Sequence, residues 1–248
     1  MKFHFSTNEF DSRLFAIQVA EVVLNPELCS DAAIEEKIYS QALASHIDLV
    51  VIRAASKIHQ PRFCQSVGCL ETWTALPGST ILRLAKVPAK FKTRDLHLND
   101  WPAIKGLLEF SSTTRFSADA HLSKESVHFH KLEMLKTHSA KSTNNGCVAV
   151  DAENRLIGFH VGYMKDSVWN LYELLVAPQF RMGFVSLQLV KHLMSSATQA
   201  SPPIELRTSI YSHNQESKRF FNQLGFVKTG SDVNFYHLWP KQHQKSPR

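Results

Sequence analysis

Two hydrophobic periods alternate along the chain, and the switches between them outline its elements. Within residues 15–24 the apolar positions Ile17, Val19 and Val22 suit a strand. Ser30 or Asp31 stands where a helix running to about Ser45 needs its cap, with Ile34, Ile38 and Leu43 on one side. The apolar run 47–53 predicts a buried strand, 61–66 a short helix before Gly68, and 72–76 and 80–84 two further strands. This first half reads as a small α/β unit. Val87, Pro88 and Ala89 predict a linker, so the expected domains are 1–88 and 89–248.

The second half opens at 91–98. Pro102 suits the first turn of a helix over 101–110, and Ser123 the cap of another over 124–137. Residues 141–146 form a polar loop. Beyond it the pattern sharpens. Strands over 147–151 and 156–164 flank a turn at 152–155, Val168–Val176 is a third strand, and 185–197 is an apolar-periodic helix. Pro202 and Pro203 precede a strand over 204–210. Asn214 then caps a helix over 215–224, Gly225 ends it, and a strand over 235–239 closes the fold.

The 248 residues suffice for one large domain or two small ones with ample core. A hydrophobic share of 44% against 20% charged residues suits a soluble globular protein, and no apolar run reaches the length of a membrane span. The first ten residues lack the apolar stretch of a signal peptide, so a cytoplasmic location without a membrane partner is expected. Cys29, Cys64, Cys69 and Cys147 lack metal-site spacing, and His128 and His130 point to different faces of a helix; no metal is expected. The net charge of +6 suggests an anionic partner. Lys and Arg are scattered rather than blocked, which argues against nucleic acid and suits a phosphorylated small molecule.

The informative stretch is strand, loop, helix, strand, helix, strand from Val168 onward. Its loop 178–186 (PQFRMGFVS) joins a strand to a helix N-terminus. Backbone N–H groups left over at such a terminus make a phosphate site, and Arg181 adds a full positive charge.

Val176-Ala177-Pro178-Gln179-Phe180-Arg181 resembles the entry to the pyrophosphate loop of GNAT acyltransferases. The stretch from Asn214 to Gly225-Phe226 resembles their second signature, in which an Asn opens a helix that ends in Gly-Phe. A narrower resemblance spans most of the chain. Phe10-Asp11-Ser12-Arg13-Leu14-Phe15, Arg115-Phe116-Ser117-Ala118-Asp119 and Tyr236-His237-Leu238-Trp239 are similar, in order, to segments of the dTDP-fucosamine acetyltransferase family.

The resemblance implies an α/β GNAT fold, a central mixed and mostly antiparallel sheet flanked by helices, preceded by a truncated GNAT-like half. It implies transfer of an acyl group from acyl-CoA to the amine of a dTDP-linked dideoxy amino sugar, by direct attack in a ternary complex. The acyl-CoA would lie on Leu174, Leu175 and Val176, on the loop residues Arg181, Met182, Gly183, Phe184, Val185 and Ser186, and on Asn214, Ser217 and Phe221. The sugar nucleotide would meet Arg115, Phe116 and His237. A homodimer is the default assembly.

The sequence departs from the family in two places. Phe184 and Ser186 stand where the loop carries glycines, with Gly183 the nearest replacement. Phe221 stands where the family places a tyrosine that protonates the leaving thiolate. Either the chain only binds coenzyme A, or the acid is dispensable or comes from elsewhere; a thiol of pKa about 8.5 is a tolerable leaving group. Glu173, which alternation places away from Tyr172 and Leu174, is the candidate base for the amine. Tyr172 or Tyr211 is the candidate acid, and His237 a further catalytic candidate. Each also reads as an ordinary structural residue. The departures suit an acyl group larger than acetyl, and another amine, on a protein or a small molecule, is the alternative acceptor.

Overall fold

The computed structural model describes residues 3–58, 61–111, 114–140, 146–181, 183–200, 204–230 and 232–243. In chain order the strands are β1 (Phe5–Thr7), β2 (Val19–Leu24), β3 (Leu49–Ala54), β4 (Cys64–Ala75), β5 (Lys92–Asp95), β6 (Gly146–Val150), β7 (Leu156–Lys165), β8 (Val168–Val176), β9 (Glu205–Tyr211), β10 (Val227–Lys228) and β11 (Val233–Leu238). The α-helices are α1 (Glu9–Phe15), α2 (Pro26–Cys29), α3 (Ile34–Ala44), α4 (Pro77–Ala85), α5 (Trp101–Leu107), α6 (Lys124–Ser139), α7 (Val185–Ala200), α8 (Gln215–Gln223) and α9 (Pro240–His243).

These elements pack into two compact units. The first is built from Met1–Glu71, Thr113–His130 and Ser231–Arg248, the second from Thr72–Ser112 and Lys131–Gly230. The division expected at 88/89 falls inside the second unit. Helix α7 is the physical reason. The Gln188 amide accepts from the Phe91 N–H at 3.1 Å and donates to the Phe91 carbonyl at 3.4 Å, and Lys191 Nζ donates to the Val87 carbonyl at 3.3 Å. The expected linker is thus stitched along a helix.

In the first unit β2 and β3 run parallel, while β1 on β2, β11 on β3 and β11 on β4 are antiparallel. One face buries Ile34, Ile38 and Ala42 of α3 against Val50, Ile52, Tyr236 and Leu238. The other buries Val19, Leu49, Val51 and Phe235 against Phe116 and Val127. Three expectations change here. Residue 15 is helical, because Asn8 caps α1 by accepting from the Asp11 N–H, and the strand starts only at Val19. Residues 64–66 are strand rather than helix, because the buried Glu35 carboxylate accepts the N–H groups of Arg62, Phe63 and Cys64 and fixes the entry to β4. Helix α3 begins at Ile34 rather than at Ser30 or Asp31, since Asn25 caps the separate α2 ahead of it.

In the second unit β5, β6, β7 and β8 form an antiparallel run, and β9 joins β8 in parallel. Helices α7 and α8 cover one face, where Trp169, Leu171 and Val176 meet Leu189, Leu193 and Phe221. Helices α5 and α6 cover the other, where Val148, Phe159, Val161 and Leu175 meet Ile104, Leu132 and Leu135. Residues 80–84, expected as strand, lie in α4. Pro77 starts that helix, and the buried Thr80 and Leu84 lie four apart on its inner face. Residues 141–145, Pro202 and Pro203 lie outside the described residues. Each unit thus carries a mixed, mostly antiparallel sheet flanked by helices. Among the described residues no helix is long and apolar enough to cross a membrane.

Candidate active site

The site grows from a place where two parallel strands part. β8 and β9 pair from Val168↔Glu205 to Leu171↔Thr208, and there the ladder stops. The Thr208 hydroxyl closes it by donating to the Leu171 carbonyl at 3.1 Å. Residues 173–176 stay paired with β7 on one side, while on the other side their ladder with β9 has ended. An edge without a strand partner can offer alternate N–H and C=O groups to an extended, amide-bearing ligand, the Val176 carbonyl being taken by Arg181.

A bulge sits at the mouth of this wedge. Val161 lies opposite Glu173 and Gly162 opposite Leu171, so Tyr172 is the extra residue of β8. Gly162 permits the close approach, since a Cβ there would stand 2.8 Å from the Asn170 carbonyl oxygen. The bulge also corrects one expectation. Tyr172 and Glu173 do not point to opposite faces, because both reach α6: Tyr172 Oη lies 3.7 Å from Met134 Sδ, and Glu173 Oε1 lies 2.9 Å from Lys131 Nζ. Leu174 turns to the α7 side, as alternation predicted.

The loop after β8 begins as a 3-10 turn, Pro178–Phe180, and the Gly183 N–H donates to the Phe180 carbonyl at 3.1 Å. The Gln188 N–H donates to the Phe184 carbonyl, which sets the start of α7. The amides of Val185, Ser186 and Leu187 therefore belong to a first turn whose N–H groups have no acceptor within the helix. Arg181 ties the strand end down, with Nε donating to the Val176 carbonyl at 3.3 Å and Nη2 to the Phe110 carbonyl at 3.0 Å. Its fork keeps further donors. Lys90 Nζ, 5.0 Å from the Phe184 ring centroid, brings a second cation to the loop. Met182 lies outside the described residues. A wedge with hydrogen-bonding edges, leading to a helix start with two cations, is suited to a long ligand that is amide-bearing at one end and phosphorylated at the other.

A family model described as an acetyltransferase (GNAT) domain matches residues 116–244, just over half of the chain. The chain belongs to the GNAT acetyltransferase family. It is an acyl-CoA-dependent N-acyltransferase. No curated protein matches the sequence. Among solved structures, a functionally unknown conserved protein from Staphylococcus epidermidis ATCC 12228 has a TM-score of 0.66 at 9% identity, over 94% of this chain and 89% of that one. A GCN5-related N-acetyltransferase from Sphaerobacter thermophilus has a TM-score of 0.60 at 10% identity, over 96% and 76%. A tandem GNAT protein from the clavulanic acid biosynthesis pathway has a TM-score of 0.55 at 12% identity, over 93% and 76%. At these identities the likeness is one of fold.

Within this GNAT chain the remaining expected residues are spread unevenly. Asn214 caps α8 by accepting from the Ser217 N–H at 3.0 Å. Phe221, expected along the cofactor, is 6% exposed and packs in the α7-side core, its ring 5.1 Å from those of Phe220 and Phe226. Leu175 and Val176 are buried and Leu174 half-buried. Tyr211 ends β9 on the face opposite the buried Ile210, its ring 5.7 Å from that of His213. Lys131 was not singled out by sequence, since a lone Lys in a helix carries no signal of its strand partner.

Arg115, Phe116 and His237 lie in the first unit, in one buried polar cluster. Asp119 accepts from His237 Nδ1 at 2.6 Å and from Trp239 Nε1 at 2.8 Å. Burial works to raise the Asp119 pKa, but hydrogen bonds from His237, the His121 N–H and Trp239 outweigh it and hold the carboxyl well below the usual range. Burial depresses the His237 imidazole against the upward pull of Asp119. His237 Nε2 is buried with no hydrogen-bond partner among the described residues. Beside it, His130 Nε2 meets Asp11 Oδ1 at 2.7 Å, and the Phe116 ring lies 4.6 Å from that of His130.

Proposed function

We propose that this enzyme transfers an acyl group, acetyl or larger, from acyl-CoA to the amine of a dTDP-linked dideoxy amino sugar, by direct attack in a ternary complex. The observation that carries the acceptor is convergence. The three segments resembling the dTDP-fucosamine acetyltransferase family lie a hundred residues or more apart in sequence, yet their side chains meet. Asp11 Oδ2 lies 3.9 Å from Arg115 Nη2, the Phe15 and Phe116 rings are 5.0 Å apart, and Asp119 binds His237 and Trp239. Segments that pack as one set support a likeness to the family as a unit rather than as separate short matches.

On the donor side, the edge of Leu174, Leu175 and Val176 takes the pantetheine amides. The first turn of α7 with Arg181 takes the pyrophosphate. Glu173 accepts the proton that the amine loses on attack. The test is calorimetric titration with coenzyme A, followed by turnover of acetyl-CoA and hydroxyacyl-CoA against the dTDP-amino sugar and against the same sugar without its nucleotide. The expected result is one-site binding and turnover that needs the nucleotide. Equal turnover without it would shift the acceptor to other amines. Binding without turnover would make the chain a silent coenzyme A-binding module.

A further inference from the structure

We infer that Lys131 is the group that protonates the departing thiolate, acting as one unit with Glu173. The inference rests on the acyl-transfer reading above and adds the proton donor that reading lacks. Lys131 is 9% exposed, and its side chain and that of Glu173 are 11% and 18% exposed, with Nζ and Oε1 2.9 Å apart. Lysine is almost never buried to this degree unless paired. A buried ion pair is also a weak source of stability, because desolvating both ions offsets their attraction, and an apolar pair of similar volume serves as well or better. The position of this pair points to its use. The β8 bulge turns Glu173 onto the α6 side at the point where β8 and β9 part, so the pair flanks the edge on which the thioester lies. Within the same unit, the Tyr172 hydroxyl is directed at Met134 Sδ and its ring lies 4.1 Å from that of His138. Phe221 has no proton to give.

The proton balance closes. The neutral amine attacks the thioester carbonyl carbon, forming the C–N bond. Its nitrogen loses one proton to the Glu173 carboxylate. Collapse of the tetrahedral intermediate breaks the C–S bond, and the sulfur leaves with the electron pair and takes a proton from the Lys131 ammonium. The Glu173 carboxyl then passes its proton to the Lys131 amine across their hydrogen bond, which restores the ion pair. One proton has moved from nitrogen to sulfur, and the products are the amide and coenzyme A.

The test compares Lys131→Arg, Lys131→Met and Tyr211→Phe with wild type, following thiol release from acetyl-CoA at saturating dTDP-amino sugar. Lys131→Arg keeps the charge and the pairing but holds its proton with a pKa above about 12. The expected result is a kcat loss of about 100-fold or more in both Lys131 variants, with unchanged coenzyme A affinity by calorimetry. Should Lys131→Met fail to fold because Glu173 is left unpaired, Lys131→Arg alone decides. A Lys131→Arg enzyme with near wild-type kcat reduces Lys131 to a positioning charge and overturns the inference, as does a large loss confined to Tyr211→Phe. A wild-type chain that binds coenzyme A yet acylates nothing fails one step earlier, at the acyl-transfer reading, before any variant is compared.

Discussion

Replacing His160 by leucine is expected to remove an acid-sensitive contribution to the stability of the second unit. His160 lies on β7 opposite Cys147 and Leu174 and has no exposed surface. Neither ring nitrogen has a hydrogen-bond partner among the described residues. Burial alone pushes its pKa down to about 3 from 6.5. The folded chain therefore keeps the imidazole neutral, while the unfolded chain takes up a proton once the pH falls below about 6.5. Because the folded value is the lower one, the stability is fully present above the unfolded pKa and is lost as the pH falls toward the folded pKa. Linkage makes that loss about 2 kcal/mol between pH 8 and pH 5, and about 4 kcal/mol by pH 3. Urea unfolding of wild type and His160→Leu at pH 8 and pH 5 measures it. Wild type is expected to lose about 2 kcal/mol more than the variant over that interval. At pH 8 the variant is expected to match wild type or exceed it, since leucine leaves no buried nitrogen without a partner. The depressed His237 is present in both proteins and cancels in the difference. Equal acid sensitivity of the two proteins would refute the reasoning.

The geometry of β8 gives two further predictions. Gly162→Ala places a methyl 2.8 Å from the Asn170 carbonyl oxygen and 2.9 Å from Trp169 Nε1, and is expected to destabilise by about 2–3 kcal/mol; a melting temperature within a degree of wild type would contradict the close approach. Thr208→Val removes the donor to the Leu171 carbonyl where the strands part and is expected to cost about 1–2 kcal/mol, whereas Thr208→Ser keeps the hydroxyl and loses less. No loss in Thr208→Val beside a clear loss in Thr208→Ser, read from urea midpoints, would show that the methyl and not the hydrogen bond holds that point.

What the sequence revealed follows from which forces are local. The strand Val168–Val176 was legible residue by residue because it is apolar at both ends and broken only at Asn170, Tyr172 and Glu173, and α8 was legible because Asn214 and Gly225, the latter at φ 90°, mark its two ends. Helix α4 was misread because Thr80-Ile81-Leu82 is a strand-like run, although Pro77 carried the helix signal. The start of β4 depends on Glu35, almost thirty residues away, and no local pattern reports it. The bulge at Tyr172 is invisible for a different reason. An extra residue in one strand leaves that strand's own pattern intact, and only Gly162 on the neighbouring strand hints at the close approach. That single insertion decides which face Glu173 occupies, and so its pairing with Lys131.

The glycine-poor loop yields to the same kind of reading. A phosphate at the start of α7 is met by first-turn amides, which the helix supplies whatever its side chains are. A Cβ at Gly183 would stand 3.2 Å from the Phe180 carbonyl oxygen, a tight contact that glycine relieves. Phe184, one residue later, is 36% exposed and its ring lies against Lys90 Nζ. Under the proposed acyl-CoA reading, Gly183 serves in place of a glycine at position 184, and Phe184 sets Lys90 beside the anion.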